Sequence, residues 1–367
     1  MYMSDTLKDG LTTCCSQGLV NSVWPTSAFA VLRTASPYTF KMGADRMNIL
    51  ITGAGGFIGP LLASRLLSEP QYHLTLTDLV TPVVPKDAKY PDHAKCLQGD
   101  ITDPAFIETL VAAAQPLHAV FIFHGIMSAG SEANYDLSLK VNVDSVRSLS
   151  EHLRRANPGV RVIYSSSQAV YGQPLPPVVT DDVTPTPEST YGAHKLMCEI
   201  YLNEMHRRGF LDVFSLRYPS VVVRAGRPTN AASSFLSGMI REPMNGEECV
   251  IPIKDRSFKS YLCSPKTLAE NLVRVLHLES DRLPRHIRQI NIPGVSATIQ
   301  ELMDGLAKYG GEDKLKYLRE EENPEIERII RSWAQDFDTT RARKLGLAVD
   351  EKPEDLVKEY VESLQKR

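Results

Sequence analysis

The chain has 367 residues, 43% hydrophobic and 23% charged, with a formal net charge of -3. That length accommodates two domains or one domain with a large lobe. The mild acidity leaves no electrostatic footprint for nucleic acid or an anionic membrane, and no apolar run approaches the ~20 residues of a membrane span. Six cysteines (14, 15, 96, 198, 249 and 263) form no CxxC pair and no secreted-framework spacing, so they read as reduced thiols of a cytoplasmic protein. Nine histidines without an HExxH pair give a metal no support.

Residues 1–46 are rich in Ser and Thr, carry few charges and show no helix or strand period. They lack the basic start and apolar core of a secretory signal, and Asp5 and Asp9 against Lys8 and Arg33 make a poor transit peptide. A disordered extension is expected there, or an upstream start before Met47.

From Met47 the pattern is regular. "NILITG", "LTLTD", "KCLQGDI", "AVFIFHG", "RVIYSSS" and "DVFSLRYPSVVV" read as buried strands, with helical stretches such as "FIGPLLASRLLSE" and "DPAFIETLVAAA" between them. The alternation predicts an α/β fold over residues 47–223, a doubly wound parallel Rossmann sheet with helices on both faces. After Val223, Pro-, Gly- and Asn-rich loops take over. Residues 224–367 are expected to form mainly a smaller substrate-binding lobe, with a segment near 287–294 ("RQINIPG") returning to the core.

Between the first strand and its helix, "TGAGGFIG" places Gly53, Gly56 and Gly59 in a GxxGxxG spacing. Such a loop gives a tight turn, close backbone approach to a pyrophosphate and a helix N-terminus facing the anion. Nineteen residues beyond Gly59, Asp78 ends the second strand, where a carboxylate accepts hydrogen bonds from ribose hydroxyls and repels a 2′-phosphate. No Arg or Lys follows until Lys86, so NAD is favoured over its phosphorylated form. Asp100 and Ile101 end the next strand in "GDI", in position to hold an adenine.

"TYGAHKLMCE" carries Tyr191 and Lys195 four residues apart on one helix face. A polar helix face has the same spacing; a cofactor fold around the pair makes it a proton relay. A phenol with a pKa near ~10 is a poor base at neutral pH, and a neighbouring ammonium together with a cationic nicotinamide favours the phenolate. "YSSSQAVYG" offers a hydroxyl for the substrate oxygen, Ser165, Ser166 or Ser167, although a strand-end serine run is commonly a polar cap. Asn142 in "LKVNVDS" is a further candidate, for anchoring a water or a turn near the lysine.

These motifs in this order resemble the extended short-chain dehydrogenase/reductase superfamily. The resemblance implies Ser167, Tyr191 and Lys195 as catalytic residues with Asn142 in support. It also implies an NAD site that includes Gly53, Gly56, Phe57, Ile58, Gly59, Asp78, Asp100, Ile101, His124, Tyr191, Lys195 and Pro219. One departure stands out: where the family carries His-x-Ala-Ala, this chain has "HGIMSAG", so Ile126 and Met127 replace the small pair beside the nicotinamide. The family also implies a homodimer through the Tyr191 helix; its apolar stripe of Leu196, Ile200, Met197 and Tyr201 fits that or a core-facing helix equally.

Beyond the last core strand, "RYPSVVVRAGRPTN" has Pro219 and Ser220 where epimerases carry Phe-Asn. With "SAGSEANYDLSLKVNVDS" and "FDTTRARKLGL" it is similar to the D-erythronate dehydrogenase family, which implies oxidation of the C2 hydroxyl of a four-carbon sugar acid. A carboxylate substrate needs a cation, and Arg224, Arg227 and Arg241 are candidates, one of them expected to be an ordinary surface residue. Ser128 and Ser220 follow strand ends and are candidate hydroxyl partners. The alternatives are a sugar-nucleotide epimerase, a uronate dehydrogenase and a non-catalytic NAD-binding regulator.

Overall fold

The computed structural model describes residues 46–226 and 233–365. In chain order, β1 (Met47–Thr52), α1 (Ile58–Leu66), β2 (Tyr72–Asp78), β3 (Ala94–Gln98), α2 (Pro104–Ala113) and β4 (Ala119–Ile122) form the first half of the core. Two short helices, α3 (Ser128–Ala133) and α4 (Tyr135–Leu139), and a π-helical turn at 140–144 lead into α5 (Ser145–Ala156). The core continues through β5 (Arg161–Ser167), α6 (Thr190–Arg207) and β6 (Asp212–Tyr218).

Then come β7 (Ser220–Val221), α7 (Ser234–Asn245), β8 (Cys249–Ile251), β9 (Lys259–Cys263), α8 (Pro265–Leu276) and β10 (Gln289–Asn291). The chain closes with β11 (Val295–Thr298), α9 (Ile299–Gly310), β12 (Leu318–Glu320), α10 (Pro324–Arg331), α11 (Thr340–Lys344) and α12 (Pro353–Gln365).

Seven strands make one sheet in the order β3-β2-β1-β4-β5-β6-β10, every pair parallel. This is the α/β doubly wound arrangement that the strand-helix alternation predicts. The chain runs outward from β1 to β3 and then returns to β4 on the other side, so a crevice opens at the carboxyl ends of β1 and β4.

Alternation within strands explains why both faces are apolar. Ile49, Ile51 and Phe121 join Leu62 of α1 and Leu268 and Leu272 of α8 in one cluster. Leu50, Val120 and Ile122 join Ile107 of α2, Leu149 of α5 and Leu202 of α6 in another. Each such buried side chain contributes about 1.5–3 kcal/mol relative to exposure.

A second core of Leu236, Met239, Ile251, Leu302 and Val357 holds α7, α9 and α12 together. A three-stranded sheet (β11-β9-β7) and a two-stranded one (β12-β8) accompany it. More of the C-terminal part than 287–294 packs on the Rossmann sheet: α8 lies beside α1, and Ala342 and Leu347 sit in the same cluster as β1. Of the α6 stripe, Met197 and Ile200 are exposed, whereas Leu196 and Tyr201 are half-buried. Among the described residues no helix is long and apolar enough to cross a membrane, and the four described cysteines are unpaired.

Candidate active site

The glycine loop is shaped by contacts that only glycine permits. Gly53 has φ +68°, and a Cβ there would lie 2.4 Å from the His124 backbone nitrogen. Gly55 N–H donates to Asp78 Oδ2 at 2.9 Å, fixing the loop against the end of β2. Helix α1 then starts at Ile58, its N-cap Phe57 giving no side-chain hydrogen bond and its first turn holding no acidic residue, unlike α2, α6, α8 and α9, which Asp103, Ser189, Ser264 and Thr298 cap. Its first N–H groups are therefore left for an anionic ligand, and the residues present fit the pyrophosphate of NAD.

Gly53, Gly56, Phe57 and Ile58 line a cavity of about 1380 Å³, which Ser167, Tyr191, Lys195, Pro219, Ser128, Ser220 and Arg224 also line. Asp78, Asp100 and Ile101 lie outside this lining, at the ends of β2 and β3. Asp100 Oδ1 accepts from Thr102 N–H, a bond that lowers its pKa. The His124 imidazole turns away, bridging Thr52 Oγ1 (2.7 Å) and Ser145 Oγ (2.8 Å), so only its backbone borders the glycine loop.

The three serines of β5 have different partners. Ser165 donates to the Ile122 carbonyl at 2.8 Å, and Ser166 donates to the Glu199 carboxylate. Ser167, at the strand end, has its Oγ beside Tyr191 and accepts from Ala169 N–H at 3.1 Å. Helix α6 begins against the turn at 168–170 because residue 192 is glycine: a Cβ there would meet the Ala169 carbonyl oxygen at 2.0 Å. That close approach sets Tyr191 against Ser167.

Lys195, 3% exposed, donates from Nζ to the Ser165 carbonyl at 2.7 Å, with Nζ 5.5 Å from the Tyr191 ring centre. Asn142 lies in the π-helical turn, a feature frequent at functional sites. Its Oδ1 accepts from Ile126 N–H (2.7 Å) and its Nδ2 donates to the Ile126 carbonyl (3.0 Å), clamping the loop after β4. Met127 lies on the cavity wall and is exposed, whereas Ile126 is outside the lining.

Burial pushes the Tyr191 phenol up to about 12, against the pull of the Ser167 hydroxyl and the Arg224 guanidinium. Burial also draws Lys195 down to about 8, while Cys198 and Glu199 hold it up. Beside the Lys195 ammonium, which the Ser165 carbonyl holds near the Tyr191 ring, the Arg224 guanidinium is a second cation that favours the phenolate.

Arg224 is half-buried, its guanidinium over the Phe57 ring and its Nε donating to the Val221 carbonyl at 3.1 Å. Arg241 is not a solvated surface residue. It is buried, donating to the Arg224 carbonyl (2.8 Å) and to Glu242 (2.6 Å), and so supports Arg224 from behind. Arg227 lies outside the described residues.

Sequence reading missed Gln168, whose Nε2 lies 3.4 Å from Ser220 Oγ. It also missed the wall that α10 and its flanks provide, with Asn323, Arg328 and Trp333. Gln168 follows the serine run and was within reach of a motif; the α10 wall has no local signature. Among the described residues no three His, Cys, Asp or Glu side chains converge as for a metal ion.

Residues 49–276 match the NAD dependent epimerase/dehydratase family. The chain belongs to that family. It is an NAD-dependent oxidoreductase. D-erythronate dehydrogenase of Haemophilus influenzae is 35% identical over 319 residues, spanning 86% of this chain and 99% of that one. The enzyme of the same name from Cupriavidus necator is 35% identical over 326 residues, 86% and 98% of the two chains.

A crystal structure of a nucleoside-diphosphate-sugar epimerase from Agrobacterium tumefaciens superposes with a TM-score of 0.82 at 31% identity, covering 90% of this chain and 99% of that one. L-threonine 3-dehydrogenase of Trypanosoma brucei shares the fold, with a TM-score of 0.75 at 23% identity over 87% and 97% of the chains.

Proposed function

We propose that the protein oxidises the C2 hydroxyl of a small sugar acid, of the D-erythronate type, to the 2-oxo acid with NAD. The supporting observation is that one cavity joins the glycine loop, the Ser167–Tyr191–Lys195 group and the half-buried Arg224. In this reading residues 47–223 bind NAD, residues 224–367 mainly shape the substrate side, and Asp78 selects NAD by repelling a 2′-phosphate.

When bound, NAD supplies the hydride acceptor. Arg224 grips the carboxylate as a planar fork, and Ser128 and Ser220 take further oxygens. Ser167 Oγ–H donates to the substrate C2 oxygen. Tyr191, as phenolate, would remove the C2 hydroxyl proton, and Lys195 would hold the negative charge on the relay. Asn142 keeps the wall in place.

A sugar-nucleotide epimerase is the second reading, and the name of the Agrobacterium neighbour favours it. Against it stands the outer wall of the cavity, where, among the described residues, Glu248, Glu321, Glu322 and Glu325 outnumber Arg328; a diphosphate is better met by the opposite sign. The test is NADH formation with purified protein, NAD and D-erythronate, L-threonate, D-glucuronate or D-galacturonate. Turnover of the four-carbon acid supports the proposal. Interconversion of sugar nucleotides without net NADH would establish the epimerase.

A further inference from the structure

One turn beyond Lys195, on the same helix, Glu199 has no exposed surface, and it is held by three donors. Arg217 of β6 grips it bidentately, Nε at 2.9 Å and Nη2 at 2.6 Å, and the Ser166 hydroxyl of β5 donates to Oε1. Arg217 Nη1 in turn donates to Tyr171 Oη at 2.6 Å, and Tyr171 donates to Asn291 of β10 at 3.1 Å. Thus the helix carrying Tyr191 and Lys195 is tied, through one carboxylate, to the strand ending in Ser167 and to the strand that leads to Ser220 and Arg224.

Resting on the assignment of Tyr191 and Lys195 as the reacting pair, we propose that Glu199 is a positioning residue: its carboxylate sets α6 against β5 and β6 and provides the buried counter-charge of the Lys195 ammonium. Geometry supports both roles. Residues 195 and 199 lie one above the other on the sheet-facing side of α6, and Val162, Tyr164 and Ser166 alternate onto the face of β5 that α6 covers.

The groups facing Lys195 come from each packed element. β5 presents the Tyr164 ring, 4.8 Å from Nζ, and α6 presents Tyr191, Cys198 and Glu199. The loop after β4 presents His124, which burial keeps neutral, and Arg217 of β6 stands behind Glu199. Of these, Glu199 is the carboxylate. Cys198 is a thiol that burial holds protonated, donating to the Asn142 carbonyl at 3.1 Å.

Loss of the carboxylate removes stabilisation of the charged lysine, so Lys195 gives up its proton at lower pH. In Glu199→Gln, kcat is expected to fall at least tenfold with KM within about twofold, and the alkaline limb of the kcat profile to move down by about one pH unit. Glu199→Asp should return that limb toward its original position. Because Glu199→Gln alone leaves Arg217 buried without its partner, the Glu199→Gln/Arg217→Gln double variant is measured alongside, with thermal melting, and should shift the limb in the same direction.

The experiment is a kcat profile from pH 6 to 10 on the full chain, with NAD and a sugar acid that it turns over, and with Tyr191→Phe as control. If the control is dead and neither folded Glu199 variant moves the alkaline limb, the positioning role is refuted while the reacting pair stands. Turnover retained by Tyr191→Phe removes the assigned pair and the role of Glu199 with it; if no acid is oxidised, the same variants are compared in sugar-nucleotide interconversion, where an unmoved alkaline limb in the Glu199 variants refutes the role.

Discussion

Arg224 offers the sharpest test of substrate chemistry. Its guanidinium is half-buried against Phe57, fixed through Nε to the Val221 carbonyl, and its own carbonyl is held by the buried Arg241. Burial lowers its pKa, the mark of a desolvated cation, and such a cation meets a carboxylate with little screening by water. A hydrogen bond to a charged group contributes ~1.5–3 kcal/mol, so Arg224→Met should lower kcat/KM for D-erythronate by roughly 10- to 150-fold.

The variant should also raise the pH at which the Tyr191 phenolate forms, because Arg224 is one of two groups pulling that phenol down. The assay is steady-state NADH formation with D-erythronate and with meso-erythritol, a neutral polyol of the same length. Both substrates share the change in tyrosine basicity, but only the acid loses a carboxylate contact. Arg224→Lys keeps the charge without the fork and should fall between. An equal loss for acid and polyol, or none for the acid, would refute Arg224 as the carboxylate anchor.

Three other outcomes are expected. Tyr191→Phe should reduce kcat by ~10²–10⁴, the range of a lost general base, while NAD still binds in a fluorescence titration. Gly53→Ala, whose Cβ would press on the His124 backbone at a positive φ, should lower the melting temperature; Gly56→Ala, whose Cβ meets only the Gly53 carbonyl at 3.3 Å, should fold and weaken NAD binding instead. Burial depresses His124 to about 3 and His206 to about 4, below the ~6.5 of an unfolded histidine. The unfolded chain therefore binds more protons below that pH, so stability is fully present above ~6.5 and falls on acidification, by about 2 kcal/mol per histidine at pH 5. Melting at pH 7.5 and 5.0 checks this, and a flat or rising melting temperature on acidification would count against it.

The parts of the site that are legible in the sequence are those written in short spacing. The glycine loop, the strand-end acid and the Tyr-x-x-x-Lys pair each depend on residues within one turn or one strand end, so local pattern carries them. Ser165, Ser166 and Ser167 were not separable that way. Their roles differ because one meets β4, one meets Glu199 and one meets Tyr191, and those neighbours are fixed only by sheet register. The same holds for the arginines: Arg224 and Arg241 look alike as sequence, but α7 carries Arg241 behind the Arg224 backbone instead of into the cavity. Helix α8 was placed in the lobe by chain order, yet its Leu268 and Leu272 complete the sheet's own cluster. No periodicity links residues 323–333 to Gln168, so the far wall was invisible.

That wall separates the two enzymatic readings better than overall likeness does. D-erythronate dehydrogenases at 35% identity and a nucleoside-diphosphate-sugar epimerase at 31% both resemble this chain, and the proposed Ser-Tyr-Lys mechanism serves either chemistry. What differs is the sign of the surface beyond the reacting carbon. A nucleotide sugar brings two phosphates that must rest on cations, whereas a four-carbon acid ends in a neutral hydroxyl that tolerates nearby carboxylates. Glu321 and Glu322 are partly answered by Arg319 and Lys254 at 3.2 and 3.1 Å, so the field is moderate and salt-dependent. Replacing Glu321, Glu322 and Glu325 together by Gln should therefore leave D-erythronate turnover within about threefold while strengthening the inhibition caused by UDP. Inhibition by UDP that is strong in the original protein and unchanged in the triple variant would mean that a diphosphate already has its cations, and the epimerase would then be the better reading.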